Sequence, residues 1–438
     1  MIAFVLVSAL VLYRLLDTTA RVLNIRSLQT EVPAEFQSWY DPGRYRKSQA
    51  YTHANTVLNL VSSWAGLTVL LLFWFFGGFE RLDAAVRSLH LGPVATGLCY
   101  FGLLAAAQEI FGLPFAIYHT FILEQRFGFN RTSVATFVQD KLKELLLSVI
   151  VFGLLAWAIL SVFERFGPGA WIYAWLVTAL SSLALMYFAP KLVLPLFFKM
   201  KPIAAGELRD SLTDLCRRQR FPVRDLYVID GSRRSAKANA FFTGFGSNKR
   251  IALFDTLIAN HTIPELSAVL AHEIGHAKRG HVWKHLVAAQ ISLFCFFWFA
   301  SWFLTQPALF AAFGVSRPSY YVGLVLFTIF LQPLSILLGI ASCYFSRRHE
   351  FEADRFAAQA IGDAEPLVSA LKKLSKDNLA NLTPHPLLVG LEFSHPPVLA
   401  RIAALRAQSP THHGDAPSEN PAQGATARTI QPARCPSR

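Results

Sequence analysis

His272, Glu273, Ile274, Gly275 and His276 spell HExxH. Positions i and i+4 of a helix share a face, so both imidazoles can hold one Zn²⁺ while Glu273, beside the first, reaches a metal-bound water. Zinc lowers the pKa of such a water toward neutrality, so that Glu273 can take its proton as general base and deliver it to a leaving amine. That chemistry is peptide hydrolysis with one zinc per chain. The preceding PELSAVLA is amphipathic and free of Pro or Gly after its start, with Pro264 and Glu265 suited to a helix beginning. The pattern predicts a helix from Ile263 to about Lys284.

A hydrolytic zinc site needs a third protein ligand. The metzincin form requires Gly and His where this chain has Arg279 and Val282, so it is excluded. Ser346-Arg347-Arg348-His349-Glu350-Phe351-Glu352-Ala353-Asp354 offers a better source. Glu350 and Asp354, four apart on a predicted helix, place on one face a carboxylate ligand and a carboxylate that orients a ligand imidazole from behind. Glu352 points away from that face. A solvated acidic edge paired with Arg347, Arg348 and Arg355 is the competing reading of these carboxylates. His281, His285 and His349 adjoin the motifs and are expected at a surface or interface.

These polar segments interrupt an apolar chain. Of 438 residues, 53% are hydrophobic and 16% charged, where soluble domains run near 25% charged, which excludes a single soluble domain. Apolar runs of roughly 20 residues, enough to cross about 30 Å of hydrocarbon, fall near 56–79, 96–122, 144–163, 171–198, 286–304 and 320–345. The first residues, apolar up to Arg14 and extendable toward Leu23, add a short seventh span. They lack the basic lead and small-residue cleavage site of a signal peptide. The polar insert between the fifth and sixth spans and the polar region after the seventh are separated by two crossings. They therefore lie on one side of the bilayer and can assemble one site.

Basic residues identify that side. Arg21, Arg26, Arg44, Arg46 and Lys47 lie in 17–55, and Arg126, Arg131, Lys141 and Lys143 in 123–143. The alternate loops hold Arg81 and Arg87, Arg165, and Arg317. Positively charged loops stay inside, so the basic loops, the insert and the C-terminal region are expected in the cytoplasm. The excess of 41 Lys and Arg over 28 Asp and Glu, a formal +13, is then topology and calls for no nucleic-acid partner. Five cysteines without CxxC spacing form neither a disulfide framework nor a thiolate metal site. Glu109, inside the third span, must face a polar cavity or a partner.

Within the insert, LYVID, SAKANAFFTGFG and KRIALFD read as short strands, with a turn at Gly246-Ser247-Asn248. The organisation expected is a five-span membrane domain over 1–198 and a metalloprotease domain over 199–407 that includes the spans 286–304 and 320–345. A Pro-, Ala-, Ser- and Gln-rich tail over 408–438 is expected to be disordered. Its final Cys435-Pro436-Ser437-Arg438 mimics a lipidation box only superficially.

HEIGH, SRRHEFEADRFA, SAKANAFFTG, SHPPVLARI and the segment Gln125-Arg126-Phe127-Gly128-Phe129-Asn130, in this order, resemble the type I CAAX prenyl endopeptidases, integral-membrane zinc metalloproteases. The resemblance spans nearly the whole chain except the tail. It implies Glu350, first residue of an ExxxD motif, as third zinc ligand. It also implies a predominantly α fold of about seven transmembrane helices enclosing a chamber, closed on the cytoplasmic side by a gluzincin-like α+β metalloprotease domain. In such proteases an Asn-Ala pair on an edge strand holds the substrate backbone extended, here Asn239-Ala240, and β-augmentation makes that role physically sensible. The implied substrate is a prenylated protein cut after its modified Cys to release the last three residues.

His395, in SHPP, and Arg401 are further candidates. An imidazole near zinc can donate to the tetrahedral oxyanion, and a guanidinium can pair with a substrate carboxylate. Pro396-Pro397 equally suits a structural turn leading into a helix. An Ala- and Arg-rich composition suggests a bacterial cytoplasmic membrane, with the endoplasmic reticulum as the eukaryotic equivalent. That makes a membrane quality-control metalloprotease of the heat-shock type the near alternative, although such proteases lack the N-terminal region present here. A seven-span transporter or receptor with an incidental HExxH is the alternative from another class.

Overall fold

A computed structural model describes the backbone of residues 1–223, 225–243 and 250–407, and their side chains except at 168, 241–243 and 250. Seven described helices are long and apolar enough to cross a membrane: Ile2–Arg26, Pro42–Phe75, Pro93–Phe127, Val134–Phe166, Trp171–Phe197, His281–Leu304 and Tyr320–Ile361. They are spans 1 to 7. Several continue as helix beyond their apolar stretch. Span 2 begins at Pro42, where the Asp41 side chain accepts from Arg44 N at 2.9 Å and Pro occupies the first turn. Span 7 runs on to Ile361 before Gly362, at φ 84°, ends it. That polar extension carries Glu350 and Asp354.

Burial along the spans is uneven. Span 3 has no buried residue over 101–122, span 4 none over 137–159 and span 7 none over 328–348. Ala105 to Ile110 are exposed in succession, more than a full helical turn, so no side of span 3 is closely packed there. Glu109 lies in this stretch and pairs with Lys141 of span 4 at 3.1 Å. The bundle is instead packed at its two ends. One end is an aromatic core of Trp74, Phe79, Tyr100, Phe303, Phe313 and Phe327. The other is the core under the polar insert and the C-terminal region, built from Phe36, Tyr45, Leu212, Leu215, Leu257, Leu270, Ile274 and Ile402 among others.

The loops sort between these ends as the crossing parity requires. Glu35, in the first loop, pairs with Lys372 and Arg406 of the C-terminal region. Arg131 N, after span 3, donates to Arg234 O at 3.0 Å. Ser316, between spans 6 and 7, donates to Glu80 at the opposite end.

The insert forms a four-stranded sheet in the order β1 (Met200–Pro202), β2 (Asp225–Ile229), β4 (Arg250–Phe254), β3 (Ala240–Thr243). β2 and β4 are parallel, and β3 runs antiparallel to β4 with Ala240 opposite Leu253. The three expected strands are present; β1 is additional, and the expected turn at 246–248 lies outside the described residues. β3 is an edge strand. One expectation is corrected: the motif helix does not continue to Lys284. It spans Ile263–Lys278, and Gly280, at φ 68°, adopts the left-handed conformation that favours glycine, after which span 6 starts at His281.

Candidate metal centre

The motif helix is fixed at its start by a full capping box. Thr262 accepts from the N3 backbone, and Glu265 Oε2 accepts from Thr262 N at 2.8 Å. Glu265 also accepts from Ser369 Oγ at 2.5 Å and from Lys373 Nζ at 2.6 Å, which ties the helix to the helix Glu365–Asp377. Further along, Gly275 permits close approach of the span 7 extension. A Cβ at Gly275 would lie 3.1 Å from both Cα and O of Ala353. The third residue before Ala353 is Glu350 and the next residue is Asp354, so this contact brings the two motifs together.

His272 Nε2 and His276 Nε2 are 3.1 Å apart, and Glu350 approaches them at 3.6 and 3.2 Å. Ligand atoms from these three residues lie within 4.8 Å of one another. Two imidazole nitrogens and a carboxylate are the donor set of a catalytic zinc site that keeps a position open. Glu350 Oε2 is buried and makes no hydrogen bond, with only the Arg401 ion pair at 3.1 Å beside it, so it has a free lone pair for a cation. The donor set and this oxygen both fit zinc.

Asp354 Oδ1 lies 2.9 Å from His272 Nδ1, directly behind that imidazole. Arg401 closes the group with two bonds to Asp354, at 2.8 and 2.6 Å, and lies 3.1 Å from Glu350 Oε2. Its guanidinium is buried and these carboxylates hold its charge on. The expected pairing of Arg401 with a substrate carboxylate is therefore not the arrangement found, because its donors already serve two carboxylates of the chain. His395 is exposed, with Nε2 3.4 Å from Glu350 Oε1, and it stands on the open side of the cluster. Pro397 caps the helix Val398–Arg406, so the structural turn is present as well. Burial raises the Glu273 carboxyl above its usual range; Glu350 adds to this, and His272, His276 and Arg401 oppose it.

β3 supplies an open edge beside this cluster. Phe254 N donates to Asn239 O at 3.1 Å, so residues 239 and 241 face β4 and the polar groups of Ala240 face outward. Ala240 N is occupied by the Asn239 side chain at 2.8 Å. The segment leading into β3 is clamped by Phe129, of the segment 125–130, and by three residues that no motif marked, Asn378, Tyr51 and Glu124. Asn378 both accepts from Ala238 N, at 3.1 Å, and donates to Ala238 O, at 3.2 Å. Lys237 bonds Tyr51 Oη at 2.7 Å and Glu124 at 3.1 Å, with Glu124 presented by a π-helical turn, Tyr118–Glu124, of span 3. Ala236 N donates to Phe129 O at 3.0 Å.

Of the expected surface or interface positions, His285 is exposed, while His281 and His349 are buried at the interface between span 6, the motif helix and the span 7 extension. The break at Gly280 is the reason: it turns the start of span 6 back against the motif helix, so that His281 meets His276. Gly280 was the available signal.

Comparison with known proteins gives consistent matches. Residues 21–199 match the family model described as the CAAX prenyl protease N-terminal region with five membrane helices, and residues 202–409 match peptidase family M48. A probable CAAX prenyl protease 1 of Schizosaccharomyces pombe is 35% identical, covering 86% of this chain and 82% of that protein. A mouse CAAX prenyl protease 1 homologue is 32% identical, covering 88% and 91%. The crystal structure of S. mikatae Ste24p superposes with a TM-score of 0.86 at 29% identity, covering 92% of this chain and 98% of that one.

Proposed function

We propose a function from one premise: this chain belongs to the CAAX prenyl protease 1 family of M48 peptidases and is a multi-pass membrane metalloendopeptidase. The proposal is that it is zinc-dependent and cuts prenylated, CaaX-type proteins after the modified Cys, releasing the last three residues. The observation that carries it is the convergence of His272, His276 and Glu350 within 4.8 Å, beside an open strand edge at Ala240. The relatives' names support the substrate class.

In this reading His272, His276 and Glu350 hold one Zn²⁺. When bound, zinc polarises the scissile carbonyl and acidifies the attacking water. Glu273 takes the proton of that water and passes it to the leaving nitrogen. The peptide lies antiparallel along β3, displacing the Asn239 side chain from Ala240 N so that backbone donors and acceptors pair with the strand. His395 donates to the developing oxyanion from the open side. Asp354 holds the Nδ1–H tautomer of His272 and Arg401 holds Asp354, so both position the site without touching substrate.

The poorly packed middle of the bundle gives a prenyl chain an apolar space outside water. The basic loops support a site on the cytoplasmic side. The test presents purified protein with a farnesylated CaaX peptide, its unprenylated twin and an unfolded membrane protein. Preferential cutting of the farnesylated peptide supports the proposal; exclusive cutting of the unfolded protein replaces it with the quality-control reading.

A further inference from the structure

His276 turns Nε2 toward the metal ligands, and its other ring nitrogen faces the start of span 6. His276 Nδ1 lies 3.0 Å from His281 Nδ1, and His281 Nε2 lies 3.1 Å from Glu352 Oε2. His281 is 1% exposed, and its ring stacks on that of His349 at 4.1 Å and 13°. His349 Nδ1 is in turn 3.2 Å from His285 Nε2, and Lys284 Nζ lies 3.9 Å from the same Glu352 oxygen.

One assignment of hydrogens satisfies this chain. A His276 that ligates through Nε2 carries its hydrogen on Nδ1, so His281 Nδ1 must accept. His281 then carries its own hydrogen on Nε2 and donates it to Glu352, an ionised carboxylate that can only accept. The carboxylate fixes the direction of both bonds.

We propose that His281 and Glu352 are positioning residues for His276, an imidazole-carboxylate relay that locks its tautomer and strengthens Nε2 as a zinc ligand. The inference rests on the zinc reading of the site above. The relay is the counterpart of Asp354 behind His272. His272 backs directly onto the span 7 extension; His276, one turn later, backs onto span 6, so a buried neutral imidazole spans the gap to Glu352. The helix that supplies Glu350 as the third ligand thus also orients both imidazole ligands. The left-handed turn at Gly280 brings His281 into place.

The test is zinc affinity, measured by chelator competition on the purified full chain in detergent. His281→Ala and Glu352→Ala are expected to bind zinc about 10–100-fold more weakly than wild type. His281→Asn, whose Oδ1 takes the accepting place of Nδ1, is expected to recover most of that loss. Glu352 is partly exposed, so Glu352→Ala keeps the metal-free unfolding temperature near wild type even if His281→Ala does not fold. Wild-type affinity in Glu352→Ala overturns the proposal, as does an Asn variant as weak as the Ala variant, since the loss then belongs to packing. A wild-type chain that binds no zinc overturns this inference together with the zinc reading, and is distinguishable from the other outcomes because all variants then behave alike.

Discussion

Glu273 and Arg401 carry opposite expectations under substitution. The proposed role of Glu273 is proton transfer and not metal ligation, so Glu273→Gln is expected to lower kcat by about 10²–10⁴-fold without loss of bound zinc, read by turnover and elemental analysis on one sample. Arg401 is buried against Asp354 and Glu350. If it positions these carboxylates, Arg401→Met weakens zinc binding and lowers stability by about 3–5 kcal/mol, because a buried pair loses one partner. A raised KM for peptides with a free C-terminal carboxylate, at unchanged zinc affinity, would instead assign Arg401 to the substrate. HExxH and the Glu350/Asp354 spacing were legible at this scale because i, i+4 geometry follows from sequence alone. The burial of Arg401 was not, since it depends on how the Val398–Arg406 helix packs under span 7.

The motif helix depends on its capping box and on one glycine. Burial raises the pKa of Glu265, but Lys373, Ser369 and Thr262 outweigh it, and the carboxyl is held below its usual range. A depressed folded-state pKa gives stability that is complete above the unfolded value, about 4.3, and is lost as pH falls through the folded one. Glu265→Gln should therefore lower stability by about 1–3 kcal/mol at pH 7, with the difference from wild type shrinking below about pH 4, as measured by thermal unfolding. Gly275→Ala places a methyl 3.1 Å from the Ala353 backbone, so the two helices must part by a few tenths of an ångström and zinc binding should weaken. Asn378→Ala releases Ala238 and is expected to raise KM more than it lowers kcat, since the strand edge moves while the metal ligands stay. The strands and helix starts were visible in period and capping residues. The break at Gly280 was missed because Lys278 and Arg279 continue a helical pattern, and β1 because Met200–Pro202 is short and contains Pro.

At the scale of the whole molecule, the seven spans are packed at both ends, and spans 3, 4 and 7 are open between them. The number of spans and the meeting of the insert with the region after span 7 were legible from hydropathy and parity. The open middle was not legible from hydropathy, because residues facing lipid and residues facing an interior space share the same apolar composition; the chamber implied by the family resemblance and Glu109 pointed to it, and the partner of Glu109, Lys141, lies on the next span. The charge deficit and the +13 belong to the same architecture, with basic loops gathered at the end that holds His272, His276 and Glu350. The central claim joins metal, site and substrate, and one titration tests all three: metal-stripped protein is given increasing zinc while release of the C-terminal tripeptide from a farnesylated CaaX peptide is followed by mass spectrometry. The expected result is a single cut after the farnesyl-Cys, with activity rising to a plateau at one zinc per chain. Full activity in the stripped protein, or a zinc-loaded protein that leaves the farnesylated peptide intact, would contradict it.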